Sequence, residues 1–285
     1  MGQLVLVTGA GSGIGLTAAV RCAAAGHRVI ATVRNLDRRV ALEAAAKERG
    51  VRVEIEQLDV TAPQVTARIK ELILKYGPIY ALVNNAGIAV GGPFEEQSDG
   101  EVREQFETNV FGLMAVTRAV LPSMRAAQRG RIINLSSLSG RLGLPGVSIY
   151  AATKHAVEGF SEALRWELAP FGVDVCLVEP GTFKTAIFFE NRRRAARMTP
   201  DSPYQSMSAA VERIVLEGAA KAPPPDAVAE AILRLIDATS PPFRTLVGWD
   251  ARALVTLRRV VPDRLFALGL KRGLAIHDAD RERSR

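Results

Sequence analysis

The chain has 285 residues, 48% of them hydrophobic and 24% charged, which suits one large α/β domain or two small ones and is ordinary for a globular protein. Its two cysteines, Cys22 and Cys176, stand far apart in apolar stretches, so we expect two buried thiols rather than a disulfide framework. The net charge of +7 gives a basic protein, and three scattered histidines predict no metal site.

Strand-like and helix-like segments alternate from the first residues. β-branched or alternating runs predict strands, and alanine-rich or amphipathic runs that end at glycine or proline predict helices. The predicted strands cover residues 4–8, 28–33, 51–58, 79–83, 131–135, 173–178 and 244–247. The predicted helices cover residues 14–25, 36–49, 63–76, 99–128, 150–171 and 226–238. This alternation predicts an α/β fold with a doubly wound parallel sheet of about seven strands and helices on both faces.

The alternation stops after the sixth strand. Residues 182–224 predict a long irregular substrate loop rich in Phe and Met, and residues 251–274 predict a basic amphipathic segment interrupted by a proline. We therefore divide the chain into a single domain over residues 1–248 and a C-terminal tail over residues 249–285. No charged leader with a long apolar core precedes the first strand and no apolar run reaches about 18 residues, so we expect a cytoplasmic protein without a membrane span.

A glycine-rich turn follows the first strand and opens the first helix. It reads Thr8-Gly9-Ala10-Gly11-Ser12-Gly13-Ile14-Gly15. Glycine permits a sharp turn and a close approach of the backbone to a pyrophosphate, and a helix N-terminus offers free N–H groups to the anion. The turn therefore predicts a dinucleotide-binding site, and a tight turn without a ligand is the alternative.

The end of the second strand predicts which dinucleotide is bound. A carboxylate at this point would accept hydrogen bonds from a free adenosine ribose, but residues 31–35 read A-T-V-R-N and contain no acid. Arg34 is well placed to pair with a 2′-phosphate, which favours NADP(H) over NAD(H). The alternative is a solvated loop arginine.

A tyrosine and a lysine stand four residues apart in the predicted helix 150–171. Tyr150 and Lys154 thus lie on one face of that helix, about one turn apart. Ser137 lies 13 residues before Tyr150 at the end of a strand, and Asn109 falls in an earlier helix. A Tyr/Lys pair alone is usually a surface coincidence, and these four residues gain their weight as catalytic candidates from the family that the chain resembles.

These motifs resemble one known family. The glycine turn fits the pattern T-G-x-x-x-G-I-G, residues 84–87 read N-N-A-G, and residues 180–181 read P-G after the sixth strand. With the four catalytic candidates in the same order and spacing, the chain resembles the short-chain dehydrogenase/reductase (SDR) family over residues 4–186. The tail from residue 247 onward resembles the hydroxysteroid and retinol dehydrogenases of that family.

The resemblance implies a Rossmann-type fold and a catalytic tetrad of Asn109, Ser137, Tyr150 and Lys154. It also implies that Asn109 holds a water linking Lys154 to solvent, that Asp59 contacts the adenine edge, and that Thr185 contacts the nicotinamide or pyrophosphate side. The full set of expected cofactor-binding residues is Gly9, Gly11, Ser12, Gly13, Ile14, Gly15, Arg34, Asp59, Val60, Asn85, Ala86, Gly87, Tyr150, Lys154, Pro180, Gly181 and Thr185.

The chemistry explains why a tyrosine is paired with a lysine. A free tyrosine has a pKa of about 10, and a nearby ammonium favours the phenolate. Lowering the tyrosine pKa by roughly three units requires about 4 kcal/mol, and Lys154 together with a positive nicotinamide ring is the expected source. Ser137 would donate a hydrogen bond to the substrate oxygen and orient it.

We therefore expect an NADP(H)-dependent oxidoreductase that acts on CH–OH groups of a bulky apolar alcohol, ketone or aldehyde, such as a steroid, a retinoid or a long-chain compound. We expect Leu142, Leu144 and Val147 to form part of an apolar substrate pocket. The alternative is that the apolar side chains of this region pack an oligomer interface. Two other functions stay open, a catalytically idle NADP(H)-binding or redox-sensing scaffold and an epimerase or dehydratase that uses the same tyrosine and lysine.

Three further expectations concern partners. Small residues along the predicted helix 150–171 favour a homodimer or homotetramer. The basic tail is either solvated or makes weak contact with a membrane surface or another acidic partner. No nucleic-acid partner is expected because no basic surface interleaved with aromatic residues is visible. The run of arginines at residues 192–194 either meets an anionic group or forms a solvated loop face.

Overall fold

The computed structural model describes residues 2–189 and 192–273. The strands of its main sheet are β1 (Leu4–Val7), β2 (Arg28–Val33), β3 (Glu54–Gln57), β4 (Ala81–Asn84), β6 (Gly130–Leu135), β7 (Val173–Pro180) and β9 (Arg244–Val247). All neighbouring pairs are parallel, in the order β3-β2-β1-β4-β6-β7-β9. Two short strands, β5 (Val90–Gly91) and β8 (Arg193–Arg194), form a second parallel pair.

Helices cover both faces of the main sheet. They are α1 (Gly13–Ala24), α2 (Arg39–Glu48), α3 (Val65–Tyr76), α4 (Asp99–Phe106), α5 (Leu113–Ala126), α6 (Ser148–Leu168), α7 (Gln205–Lys221), α8 (Asp226–Asp237), α9 (Trp249–Val260) and α10 (Asp263–Gly273). Buried side chains of α1, α2 and α8 form one apolar layer with the sheet, and those of α3, α5 and α6 form the other. The predicted doubly wound α/β fold with seven parallel strands is confirmed.

The sequence of β1 shows why both faces must be covered. Its four residues are all apolar and all buried. Because successive side chains of a strand point to opposite faces, Val5 and Val7 join the layer of α1 and α8, while Leu4 and Leu6 join the layer of α3 and α5. A strand without a polar side has to lie between two helix layers.

The order of the strands creates a crevice. The chain runs outward from β1 through β2 to β3 and then returns to place β4 on the other side of β1. At such a switch point the loops that follow the two strands turn to opposite faces, which leaves room for a ligand at the carboxyl end of the sheet. The glycine turn follows β1 and the N-N-A-G motif follows β4, so both predicted motifs meet at this crevice.

A chain of buried hydrogen bonds ties the sheet to two helices. The Asn84 side-chain amide donates to Thr117 Oγ1 of α5 and to Asn134 Oδ1 of β6, each at 2.9 Å. Asn134 Nδ2 donates in turn to Ser161 Oγ of α6, also at 2.9 Å. Because unsatisfied buried polar groups are costly, these bonds fix the register between the sheet and both helices.

The predicted single helix over residues 99–128 is interrupted. It consists of α4, a π-helical stretch over Glu107–Gly112, and α5. A π turn adds a residue to the helical repeat and is a local feature that apolar periodicity does not reveal. The inserted turn contains Asn109, one of the catalytic candidates.

The prediction that residues 182–224 are irregular is wrong in part. This segment contains β8 and the 17-residue helix α7. Only Ala219 of α7 is fully buried, because the helix turns Val211 and Val215 toward a cavity instead of the core. The weak apolar stripe of such a helix explains why the sequence did not predict it.

The C-terminal segment has the predicted interruption, since α9 ends at Val260 and α10 begins at Asp263 on either side of Pro262. Ala251 and Val255 of α9 are buried against Leu138 and Leu142. Residues 274–285 of the predicted tail lie outside the described residues. In the described part of the chain, no helix has the length and apolar character needed to cross a bilayer.

Candidate active site

The turn between β1 and α1 depends on the backbone freedom of glycine. Gly9 and Gly13 have φ angles of +67° and +56°, which L side chains rarely adopt. A Cβ on Gly9 would also stand 2.8 Å from the Ala86 Cα. Ser12, at the N-cap of α1, makes no side-chain hydrogen bond to the first turn, which has no acidic residue either. The N–H groups and positive dipole of that turn are thus suited to an anion.

Asn85 holds the glycine turn against the end of β4. Its side-chain amide donates to the carbonyl oxygens of Thr8 at 2.9 Å and Gly9 at 3.0 Å. The Thr8 hydroxyl accepts hydrogen bonds from the backbone N–H groups of Asn85 and Ala86 at 3.0 and 3.1 Å. A Cβ on Gly15 would stand 2.3 Å from Asn85 Nδ2, so Gly15 serves this close packing.

A cavity of about 930 Å³ lies at the crevice and extends under the segment that carries β8 and α7. Most of the predicted site residues line it, namely Gly9, Gly11, Ser12, Gly13, Ile14, Arg34, Asp59, Val60, Asn85, Ala86, Gly87, Ser137, Tyr150, Lys154, Pro180, Gly181 and Thr185. The other two predicted site residues, Gly15 and Asn109, do not line the cavity. The structure therefore brings together residues that are up to 176 positions apart in the sequence, from Gly9 to Thr185.

The end of the cavity beside β2 is basic. Arg34, Asn35 and Arg38 line it. The acid closest in sequence, Asp37, is bonded to Asn35 through two contacts of 3.0 Å and does not line the cavity. Sequence reasoning missed Arg38, although its place four residues after Arg34 in a helical turn is a usable signal.

Asp59 and Val60 line the same cavity after β3. Asp59 Oδ1 accepts hydrogen bonds from the N–H of Thr61 at 2.9 Å and from its hydroxyl at 2.8 Å, so the carboxylate closes the local turn. Val60 packs against the π-helical stretch, since a Cβ on Gly112 would stand 2.8 Å from Val60 Cγ2. Asp59 therefore has a structural role beside any contact with a ligand.

Ser137, Tyr150 and Lys154 converge at one wall of the cavity. Ser137 follows β6 and hydrogen-bonds Tyr150 through its side chain, while its Oγ accepts the N–H of Ser139 at 3.1 Å. Lys154 Nζ lies 5.6 Å from the centre of the Tyr150 ring and donates to the carbonyl oxygen of Leu135 at 2.7 Å. Two hydroxyls and one amine thus face the same space.

Burial shifts the pKa values of Tyr150 and Lys154 in opposite directions. Burial raises the pKa of Tyr150, and the hydrogen bond with Ser137 offsets this only in part. Burial lowers the pKa of Lys154 to about 8, against the opposing effect of the Glu158 charge. The amine of Lys154 is turned to the Leu135 carbonyl, and burial is the larger effect on the tyrosine pKa. Tyr150 is therefore a phenol at neutral pH. That Lys154 and a positive nicotinamide ring together lower this pKa stays a prediction.

Asn109 uses its whole amide on neighbouring protein groups. Its Oδ1 accepts the N–H of Ile88 at 2.8 Å, and its Nδ2 donates to the Ile88 carbonyl at 2.9 Å and to Thr153 Oγ1 at 3.0 Å. A Cβ on Gly87 would stand 3.2 Å from Asn109 Oδ1 and 3.9 Å from Lys154 Nζ. Asn109 therefore fixes the loop after β4 to helix α6.

The loop after β7 closes over the glycine turn. Thr185 is buried, and a Cβ on Gly13 would stand 3.4 Å from its Cβ. Asp250 of α9 accepts the N–H of Thr182 at 2.6 Å, and a Cβ on Gly181 would stand 2.1 Å from Asp250 Oδ1. Sequence reasoning missed Asp250, which comes from a segment assigned to the tail and meets this loop only in the folded chain.

The far end of the cavity is apolar. Leu144 and Val147 line it as expected, whereas Leu142 is buried behind the wall against α9. The other apolar side chains at this end are Leu138, Ile187, Met198, Val211 and Val215. These apolar side chains line the same cavity as the glycine turn, Tyr150 and the charged side chains of Arg192 and Glu212.

The arginine run lies along the cavity and is paired with acids. Arg193 Nη1 is 2.7 Å from Glu104 Oε1. Arg192 and Arg194 both contact Glu212 of α7. The three arginines are thus ion-paired, and the Arg194 side chain is still 59% exposed. Contact with an anionic group and a solvated loop face both stay predictions for this run.

A sequence profile described as short chain dehydrogenase matches residues 3–196. The uncharacterized oxidoreductase YusZ of Bacillus subtilis is 41% identical over 236 residues, which cover 82% of this chain and 84% of that protein. The 3-ketodihydrosphingosine reductase of Bacteroides thetaiotaomicron is 35% identical over 271 residues, covering 94% and 97%. Retinol dehydrogenase 8 of Homo sapiens is 34% identical over 271 residues, covering 90% and 85%.

Solved structures agree with this similarity. A short-chain dehydrogenase from Streptomyces avermitilis has a TM-score of 0.80 at 36% identity, covering 94% of this chain and 95% of that one. An SDR from Burkholderia phymatum in complex with NAD has a TM-score of 0.78 at 28% identity, covering 90% and 93%. A metagenomic SDR in complex with NADP has a TM-score of 0.69 at 28% identity, covering 86% and 96%.

The burial of Lys154 predicts a specific pH dependence of stability. With a folded pKa of about 8 and an unfolded pKa of about 10.4, the unfolded chain binds more protons between these values, so this residue makes stability rise with pH there. At pH 7 the Lys154→Met variant should have a larger free energy of unfolding than the wild type. This difference should shrink by about 3 kcal/mol between pH 8 and 10.5.

Urea unfolding of both proteins across this pH range measures the difference. The exposed Lys70 of α3 provides the control, since Lys70→Met should keep a constant difference from the wild type. A Lys154→Met difference that does not change between pH 7 and 10.5 would contradict the assigned burial.

Proposed function

The chain belongs to the short-chain dehydrogenase family of oxidoreductases, and from this membership we propose that it is an NADP(H)-dependent enzyme acting on a bulky apolar ketone, aldehyde or alcohol. The proposal rests above all on one observation: Ser137, Tyr150 and Lys154 meet in a cavity that is glycine-lined at one end and apolar at the other. Family membership favours an enzyme over the idle scaffold considered from sequence.

The residues around the crevice fit a nicotinamide dinucleotide. The glycine turn leaves the first turn of α1 without a side-chain cap, and added Cβ atoms at Gly9 and Gly15 would collide with the loop after β4. Two related proteins of known structure were solved in complex with NAD and with NADP, which supports a cofactor of this type. When bound, the nicotinamide supplies or accepts the hydride. The glycine turn would hold its phosphates, and Asp59, Val60, Ala86 and Gly87 its adenosine half.

Two arginines support NADP(H) over NAD(H). Arg34 and Arg38 line the cavity beside β2, and the neighbouring carboxylate of Asp37 is bonded to Asn35. Guanidinium groups form strong, charge-assisted hydrogen bonds with phosphate, and they replace the acid that would accept bonds from a free ribose. We propose that both bind the 2′-phosphate of NADP(H).

Tyr150 is the proposed proton donor or acceptor at the substrate oxygen. In the direction of reduction, its phenol O–H gives a proton to the carbonyl oxygen as that oxygen gains negative charge. The Ser137 hydroxyl donates a hydrogen bond to the same oxygen and orients it. The Lys154 ammonium stands beside the phenol and offsets the charge left on Tyr150, and Pro180, Gly181 and Thr185 hold the loop over the cofactor side.

Burial supports reduction as the favoured direction. A raised Tyr150 pKa keeps the group in its protonated form over the neutral range, and this is the form that donates a proton. Oxidation of an alcohol needs the phenolate instead. The protonated form of Tyr150 is thus suited to the proton-donating step of carbonyl reduction.

The substrate end supports a long apolar compound. Seven apolar side chains from four segments line it. Two relatives carry names that denote enzymes of 3-ketodihydrosphingosine and of retinol, and both compounds have long apolar chains. Apolar walls favour such chains by about 0.8 kcal/mol for each buried CH₂ group. We propose a long-chain, steroid-like or retinoid-like ketone or aldehyde.

Self-association stays a prediction, and α6 offers the surface for it. Ala152 and Gly159 are exposed on one side of α6, and Trp166 on the same helix is 66% exposed. Phe111 of the π-helical stretch is 54% exposed. Small residues permit close helix packing and exposed aromatic side chains commonly mark interfaces. Light scattering on the purified chain should show a homodimer or homotetramer, and a monomer at micromolar concentration would refute this.

Contact with a membrane surface also stays a prediction. Leu257, Val260 and Leu265 are exposed on α9 and α10, next to basic side chains such as Arg258 and Arg264. Exposed apolar groups flanked by cations suit the boundary of an anionic bilayer. Sedimentation with vesicles of phosphatidylserine should exceed that with neutral phosphatidylcholine vesicles, and equal recovery in both would refute the prediction.

The Tyr150→Phe variant should lower kcat for ketone reduction at least about 100-fold, since a general acid contributes roughly 10² to 10⁴ to the rate. NADPH consumption at 340 nm over ketones and aldehydes of increasing chain length measures both activity and preference. Long apolar ketones should surpass short ones in kcat/KM by about tenfold or more. The control is NADPH binding by the variant, which should be retained. Full activity in Tyr150→Phe would overturn the mechanism.

The Arg34→Ala variant should raise KM for NADPH about ten- to hundredfold, because a charge-assisted hydrogen bond to phosphate is lost. The kcat/KM for NADH should change little. Arg39 is the matched control, since it pairs with Glu43 at 3.4 Å and does not line the cavity. An equal loss with both cofactors would show that Arg34 does not recognise the 2′-phosphate.

A further inference from the structure

A group of charged side chains is buried behind the catalytic wall, by which we mean the cavity wall formed by Ser137, Tyr150 and Lys154. Glu158 lies one helical turn after Lys154 on α6, and Glu179 is on β7; they are 6% and 1% exposed. Arg244 of β9 reaches both, with its Nε 3.2 Å from Glu158 Oε2 and 3.2 Å from Glu179 Oε1. Arg141 Nη1 also binds Glu179 Oε1 at 3.2 Å. Two buried acids thus share one arginine.

These acids keep oxygen atoms without a partner. Glu158 Oε1, Glu179 Oε2 and Ser136 Oγ are buried and make no hydrogen bond within the described residues. Leaving such atoms unpaired costs free energy, so a purely structural cluster would be expected to satisfy them. A cluster that retains unpaired acceptors is typical of a site that uses charge or handles a proton.

Gly140 shows how tightly this cluster packs against the backbone of α6 at Lys154. An added Cβ there would stand 2.4 Å from Ser136 Oγ, 3.1 Å from Glu158 Cγ and 3.2 Å from the Lys154 carbonyl oxygen. The three groups therefore surround one small space. Ser136 immediately precedes Ser137, so the cluster lies behind both the serine and the lysine of the catalytic wall.

We propose that Glu158 is a positioning residue for the reaction, whose buried carboxylate, held by Arg244, keeps the neighbouring Lys154 side chain as an ammonium. This proposal rests on the proposed function for its kinetic consequence, but the interaction itself belongs to the folded chain and needs no substrate.

The need for such a charge follows from the surroundings of Lys154. Burial acts against its ammonium, and its Nζ donates to one neutral acceptor, the carbonyl oxygen of Leu135. The other groups that face it are neutral, namely the Tyr150 phenol on α6, the Ser137 hydroxyl after β6 and the loop around Gly87. Glu158 is the charged group that opposes the effect of burial on the lysine pKa.

Glu179 affects how strongly Glu158 can act. Burial and the charge of Glu158 raise the pKa of Glu179, and Arg141 and Arg244 offset this only in part. The more burial disfavours the charged form of Glu179, the more Arg244 is left to stabilise the carboxylate of Glu158. Removal of Glu158 alone lets Glu179 ionise more easily and compensate in part. A variant that lacks both acids is therefore needed to expose the full effect.

Glu162 provides a matched control. It lies one turn further along α6 and binds the same arginine, with its Oε2 2.8 Å from Arg244 Nη2. Its side chain is 58% exposed, so solvent screens its charge. If the cluster only fastened β9 to α6, loss of Glu162 and loss of Glu158 would act alike on stability and neither would move a pH profile.

The kinetic test measures kcat/KM for ketone reduction with NADPH between pH 6 and 10. Activity that needs the Lys154 ammonium falls as pH rises, and Glu158→Gln should move this fall to lower pH by about one unit. Glu158→Gln/Glu179→Gln should move it further, while Glu179→Gln and Glu162→Gln should not move it downward. A Glu158→Gln profile and a double-variant profile that both match the wild type would overturn the proposal.

A second measurement needs no substrate. Two pairs of proteins are compared by their free energies of unfolding: the wild type with Lys154→Met, and Glu158→Gln with Glu158→Gln/Lys154→Met. In each pair the difference in free energy should shrink as pH rises. The shrinkage should begin at a lower pH in the pair that carries Glu158→Gln. An unchanged onset would also overturn the proposal. If the onset moves but no carbonyl compound is reduced, the electrostatic role of Glu158 stands and the proposed function fails, so the two failures are distinguishable.

Discussion

The side-chain amide of Asn85 donates to the carbonyl oxygens of Thr8 and Gly9, and this pair of hydrogen bonds joins the carboxyl ends of β1 and β4. At a switch point the two strands would otherwise lead their loops apart. The contact is so close that Gly15 has no room for a Cβ. Losing the amide would leave two polar carbonyls unpaired, at about 1–3 kcal/mol each if they stay buried. The shape of the crevice, and thus the placement of the other site residues, follows from this contact.

Buried hydrogen bonds next to the same crevice hold helix α6 in place. Asn84, the residue before Asn85, is linked through Asn134 to Ser161, and Asn109 is linked to Thr153. Both Ser161 and Thr153 belong to α6. Because one polar chain runs through the core and the other through the loop after β4, α6 cannot shift along the sheet without breaking buried hydrogen bonds. Tyr150 and Lys154 are thereby held in register with the glycine turn.

The sequence predicted the parts of the site that are local in the chain. The glycine turn, the i,i+4 spacing of Tyr150 and Lys154, and the alternation of strands and helices each depend on a few neighbouring residues, and the fold follows from their order. Asp250 could not be predicted in its role, because its contact with Thr182 spans 68 residues and exists only after folding. The π-helical turn around Asn109 was hidden for another reason: it is a local change in the backbone hydrogen-bond pattern that no residue type in the sequence marks.

The opposite effects of burial on Tyr150 and Lys154 have one consequence for the proposed reaction. Before proton transfer, the wall holds a neutral phenol and an ammonium whose burial is unfavourable. Once Tyr150 gives up its proton, the ammonium faces a phenolate, and a lone buried charge becomes part of a buried ion pair. The attraction is thus larger in the transition state than in the ground state, which is the condition for an interaction to raise kcat. A lysine kept charged in a desolvated wall therefore favours proton donation more than the same lysine in water would.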